Sequence, residues 1–140
     1  MIDIDNQTKL HIPLTTIKNI AQSLTNKDIE LLVVDSAYIQ KINFEYRNID
    51  KPTDVLSFPF EELPMGPLGS LIICEDFVIS ASKSFSHSQD DEFCLLFIHG
   101  LLHLLDFDHE VDNGEMRAKE KEIIQTFSLP ESLIIRTLKD

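Results

Sequence analysis

From Cys94 to Leu105, nine of twelve residues are apolar; the exceptions are His99, Gly100 and His103. Wound as a helix, such a segment is hydrophobic around nearly its whole circumference, so it is stable only as a central, buried helix. The rest of the chain must be arranged around it. Ser88 to Asp91 provides a capping start, which predicts a helix from there through Leu105.

The other segments supply the layers that bury it. Ile2 and Ile4 alternate with acidic residues over Met1 to Thr8, a short edge-strand pattern. Leu14, Ile17, Ile20, Ala21 and Leu24 share one face of a helix over 13–24, with Pro13 in its first turn. Ile29 to Val34 reads as a strand, and Ser36 as the cap of a helix carrying Tyr38, Ile39, Ile42 and Tyr46 inward. Thr53 to Phe60 and Leu68 to Cys74 predict two strands joined by the turn-rich Leu63-Pro-Met-Gly-Pro-Leu-Gly. Glu75 to Phe85 predicts a helix, and Asp112-Asn-Gly-Glu115 starts the last one, with Met116, Ile123, Ile124 and Phe127 inside. The class expected is α+β: a small mixed β-sheet packed by helices, its central helix carrying two histidines. The 140 residues, 1–140, fit one domain. A domain of that size buries about two thirds of its unfolded surface without a metal staple, so a metal here would serve chemistry.

His99 and His103 are four apart and lie one turn apart on the same helical face, within reach of a single ion. His109 follows six residues later. A helix ending near Asp106, whose short polar side chain tolerates a left-handed turn, lets the chain double back and bring in that third imidazole. Three histidines with one open position make a catalytic zinc site, one Zn2+ per chain, with Asp108 and Glu110 as possible orienting partners. The spacing H-x3-H-x5-H is also that of the metzincin peptidases, but Gly100 stands where a zinc peptidase carries its general-base Glu. His11 and His87 lack such company and read as surface residues, and Cys94 lies off the His99 face.

Twelve basic against twenty-four acidic residues give a net charge of -12, which disfavours a polyanionic partner except at a local basic patch. The acidic Asp90, Asp91, Glu92, Glu115, Glu120 and Glu122 are expected on helix ends or outer faces, away from the metal. No stretch approaches the roughly 20 apolar residues that span a bilayer, and no secretory signal opens the chain. Cys74 and Cys94 read as buried free thiols, so no membrane and a cytoplasmic setting are expected.

The stretch from Ile42 to Pro59 places Arg47, Lys51, Thr53, Asp54 and Ser57 near a helix-to-strand junction. Arg suits bidentate phosphate contacts, and Lys adds a point charge. With the histidine segment, this stretch resembles the YbeY family of bacterial ribosomal-RNA maturation endoribonucleases. The family's N-x-x-Y-R…K-P-T-D-V-L-S-F-P segment is matched by Asn43, Tyr46, Arg47 and Lys51 through Pro59. Its H-G-x-L-H-L-x-G-Y-D-H segment is matched by His99, Gly100, Leu102, His103, Leu104, Asp108 and His109. Leu68 to Cys74 is similar to its G-D-I-x-I strand. Asp106, Phe107 and Ser70 depart from the family's Gly, Tyr and Asp, and none of the three removes a ligand.

The resemblance implies a zinc-containing, single-strand-specific RNA hydrolase that matures the 3' end of small-subunit ribosomal RNA and supports ribosome quality control. Its partners would be single-stranded RNA and the small subunit or ribosome-associated proteins. Arg47 and His99 are the catalytic residues expected, Arg47, Lys51, Asp54 and Ser57 the substrate-binding ones, and His99, His103 and His109 the metal ligands. Asp54, Asp108 and a zinc-bound hydroxide stand open as the general base. The competing readings are a metal-dependent hydrolase of another bond, peptidase-like, and a non-catalytic zinc-containing ribosome-assembly factor.

Overall fold

The chain is described by a computed structural model over residues 1–61, 66–108 and 111–137, with side chains as far as residue 134. Of the sequence expectations, the start of the 63–69 turn (Leu63, Pro64, Met65), the ligand His109 and its neighbour Glu110 lie outside the described residues.

Four strands form one mixed sheet: β1 (Ile2–Asn6), β2 (Ile29–Val34), β3 (Val55–Pro59) and β4 (Gly69–Cys74), in the order β1-β2-β4-β3. β1, β2 and β4 run parallel, with Ile2 opposite Ile29 and Ile29 opposite Gly69. β3 runs antiparallel along the free edge of β4, Ser57 facing Leu71. Parallel neighbours need crossovers, and helix α1 (Leu14–Leu24) makes the one from β1 to β2. One sheet face sets Ile29, Leu31, Val33, Leu71 and Ile73 into the main core, with Ile17 and Ile20 of α1. The other face carries a smaller cluster in which Ile39 of α2 (Ser36–Arg47) covers Val34, Leu56, Ile72 and Cys74.

The central helix is α4 (Gln89–Leu104), capped by the Ser88 hydroxyl, which accepts from Asp91 N–H at 3.0 Å. Its residues Phe93 to Ile98, Leu101 and Leu102 are buried, as their all-round apolarity requires. Helices α3 (Glu75–Ser84), α5 (Glu115–Thr126) and α6 (Ser132–Thr137) pack around it, and the last of these was not anticipated from sequence.

Two details of α2 differ from the sequence reading. Its cap is Asp35, whose carboxylate accepts from Tyr38 N–H at 2.9 Å, rather than Ser36. Tyr38 and Tyr46 also point to solvent, 41% and 71% exposed, because the helix covers only part of the sheet and Ile39 with Asn43 makes its buried face.

Candidate active site

Helix termini deliver both segments to one place. α2 ends at Arg47 because Asn48 adopts the left-handed conformation (φ 58°), where a short polar side chain is tolerated, and Ile49 N–H returns to Asn43 C=O at 3.3 Å. The chain then crosses to β3 over a loop held from below: the buried Asn43 side chain donates to the Lys51 carbonyl at 2.9 Å. At the far end of α4, Asp106 takes the expected left-handed turn (φ 71°). Phe107 N–H closes on Leu102 C=O at 2.9 Å and Asp106 N–H on His103 C=O at 3.1 Å, so the helix stops at Leu104, one residue past His103.

Between these ends lies a cleft of about 390 Å³ lined by Arg47, Asp54, Ser57, His99 and His103, with Val55, Leu56 and Pro59 of β3. Arg47 is exposed on its rim. The Asp54 carboxylate is held by Val55 N–H at 2.8 Å. The Ser57 hydroxyl donates to the Gly100 carbonyl at 3.0 Å, fastening β3 to α4 between the two histidines. Lys51 is exposed and is not among the lining residues.

His99 and His103 bring their Nε2 atoms within 3.2 Å of each other, ring centroids 4.7 Å apart and planes at 81°. The other nitrogen of His99, Nδ1, lies 3.2 Å from Glu120 Oε1 of α5, whose side chain is 3% exposed. Among the described residues no set of three potential ligands surrounds one point, and the third ligand expected, His109, falls outside them.

Gly100 explains a further feature of the sequence. A Cβ there would meet Leu71 Cδ2 at 2.9 Å, Val55 Cγ2 at 3.1 Å and Ser57 Oγ at 3.3 Å. Gly100, next to His99, is pressed against the sheet, so any side chain there would have to displace these neighbours.

Three sequence expectations need correction. Glu120 is buried, because it is four residues from Met116 and three and four from Ile123 and Ile124, and so shares their inner face. Glu92 is also fully buried, since it lies on the face of α4 turned towards His87 rather than on the outer face that carries Asp90 and Asp91. His87, read as a surface residue, has a side chain only 2% exposed and pairs with Glu92 at 2.7 Å. His11 is exposed, as expected, beside Asp90 at 2.9 Å. Asp90, Asp91 and Glu115 do occupy first turns of helices, and Glu122 is exposed.

Comparison with known proteins decides the family. The model of the endoribonuclease YbeY family matches residues 3–128. The chain belongs to the YbeY family of endoribonucleases. Its relatives named endoribonuclease YbeY include one from Sulfurimonas denitrificans, 58% identical over 98% of this chain and 99% of that one. Another, from Aliarcobacter butzleri, is 60% identical over 97% and 99% of the two chains. The solution structure of a Thermotoga maritima protein superposes with a TM-score of 0.61 at 25% identity, covering 99% of this chain and 93% of that one. YbeY membership puts the enzyme among the hydrolytic nucleases. No helix among the described residues is long and apolar enough to cross a membrane.

Proposed function

We propose that this YbeY-family chain is a zinc-dependent, single-strand-specific endoribonuclease acting in small-subunit ribosomal-RNA maturation, with one zinc held by His99, His103 and His109. The observation that carries the proposal is the shared cleft: Arg47, from one motif, and His99 with His103, from the other, line the same 390 Å³ space. The donor set suits the ion. Two imidazoles bound at 2.0–2.1 Å at the tetrahedral angle have nitrogens roughly 3.3 Å apart, and those of His99 and His103 are 3.2 Å apart. When bound, zinc supplies Lewis acidity and an activated water near neutral pH.

The chain's own groups do the rest. The Arg47 guanidinium offers paired donors to two oxygens of the scissile phosphodiester, orients it over the histidines and stabilises its developing charge. The Ser57 hydroxyl spends its proton on Gly100 C=O, so its oxygen remains an acceptor towards a ribose hydroxyl. Asp54 lines the cleft and is positioned to hold a proton released there, whereas Asp108 is not among the lining residues. Lys51, on the exposed loop, serves RNA as a charge at a distance rather than inside the cleft. The peptidase-like reading loses support at Gly100, which supplies no general base and is crowded by Leu71, Val55 and Ser57. The buried free thiols of Cys74 and Cys94 suit a reducing cytoplasm, where ribosomal subunits would be the natural partners.

The test is Arg47→Ala assayed on single-stranded RNA alongside zinc analysis. Zinc content and fold should persist, because an exposed Arg at a helix end contributes little to stability. Cleavage should fall on the order of 100-fold, the usual effect of removing one donor from a developing charge. Cleavage at the wild-type rate with zinc retained would end the phosphate-clamp role. If ribosome maturation in cells then still required the zinc ligands, the assembly-factor reading would replace this one.

A further inference from the structure

We infer that Glu120 is a positioning residue for the metal centre: its buried carboxylate holds His99 in the tautomer whose Nε2 lone pair faces the cleft. This rests on the metal reading above and adds to it a residue on a different helix from the two described histidines. Glu120 sits on α5 among Met116, Ile123 and Ile124, 3% exposed. Among the described residues its one hydrogen-bond partner is His99 Nδ1, at 3.2 Å. An imidazole nitrogen that meets a carboxylate oxygen in this way donates its N–H to it, and in the neutral ring the lone pair is then left on Nε2. That atom is the one lying 3.2 Å from His103 Nε2.

Energetics point the same way. A carboxylate taken out of water is unfavourable unless it is compensated, and no Lys or Arg pairs with Glu120 among the described residues. A leucine would suit the apolar face of α5 at no such cost. The carboxylate therefore loses stability at a point where its visible task is to fix an imidazole. Orienting carboxylates of this kind are worth about 10–100-fold in metal affinity.

The structural alternative is that Glu120 merely ties α5 to α4. Glu120→Leu separates the two, with Glu120→Met, which keeps the length, as a second apolar variant should the first fail to fold, and Glu120→Gln as a variant that keeps an acceptor. Two quantities are read on the full chain: zinc affinity by chelator competition, and the His99 tautomer from imidazole 15N shifts after zinc removal. The apolar variant should bind zinc 10–100-fold more weakly and lose the Nδ1–H preference, while Glu120→Gln should recover most of both. An apolar variant with wild-type tautomer and affinity, whatever its stability, would overturn the inference. If the wild type bound no zinc but its tautomer still depended on Glu120, the positioning role would stand and the zinc reading would fall instead.

Discussion

Helix α4 is flanked by two imidazole–carboxylate pairs of the same chemistry and opposite setting. His87 and Glu92 meet at 2.7 Å with side chains 2% and 0% exposed. His99 and Glu120 meet at 3.2 Å, but the imidazole is 19% exposed on a cleft wall. The second ring nitrogen separates them further. In His99 it faces another imidazole, whereas His87 Nδ1 is buried without a hydrogen-bond partner among the described residues. His87 also stacks on Phe85 (centroids 6.2 Å apart) and closes the end of α3, its N–H bonded to Ser82 C=O across the left-handed Ser86. A buried carboxylate beside a histidine is therefore not by itself a sign of catalysis. Access to solvent, and where the second ring nitrogen points, decide whether the pair fastens a turn or arms a site.

The largest effects are expected when each imidazole is removed in turn. His103→Ala should lose zinc and lower RNA cleavage by more than about 100-fold, beyond the range seen for an outer partner, with little change in melting temperature. His87→Ala should do the reverse: full zinc, near wild-type cleavage, and a loss of roughly 3 kcal/mol because the buried Glu92 loses its imidazole partner. Elemental analysis, a cleavage assay and urea unfolding on both variants provide the check. Full zinc in His103→Ala, or cleavage lost with stability intact in His87→Ala, would erase the distinction.

A smaller effect tests how tightly the cleft end of α4 is packed. In Gly100→Ala the new methyl crowds Leu71, Val55 and Ser57. Overpacking costs about 1–3 kcal/mol, and the gain in helix propensity returns about 1 kcal/mol. A net loss of roughly 1 kcal/mol is expected, together with slower cleavage as β3 is pushed from His99. A more stable variant of unchanged activity would show that the packing at Gly100 has slack.

Much of this was legible in the chain because burial writes itself as periodicity. The all-round apolarity of 94–105 predicts the central helix, the four-residue spacing predicts that His99 and His103 share a face, and Asp106 announces the turn that follows. The meeting of Arg47 with the histidines was available only through the family resemblance, since contacts between residues some fifty positions apart leave no local period. Glu120 is legible as well, but by two conflicting signals: its charge argues for the surface, while its spacing from Met116, Ile123 and Ile124 puts it inside. The order β1-β2-β4-β3 and the open half of the α2 face, which frees Tyr38 and Tyr46, depend on how elements pair and not on any one segment.

The smallest effect expected concerns Cys94, two residues beyond Glu92 on the sealed stretch of α4. Burial pushes its thiol up from 9.0 to about 12, and the nearby negative charges of Asp91 and Asp90 push the same way. The thiolate is the nucleophile, so iodoacetamide at pH 8 should label Cys94 far more slowly in the folded chain than in urea, read in a Cys74→Ala background. The sign of the stability effect follows from the raised value. Below 9.0 both folded and unfolded chains hold the proton, and the contribution is fully present. As the pH rises towards 12 the unfolded chain releases its proton while the folded one keeps it, so stability falls. The decline between pH 8 and pH 10 should accordingly be shallower in Cys94→Ala than in the chain that keeps this thiol. Rapid labelling of the folded chain at pH 8 would mean that the first turns of α4 open to water. The His87–Glu92 pair would then be no more sealed than the one in the cleft, and the contrast between the two ends would have to rest on their hydrogen-bond partners alone.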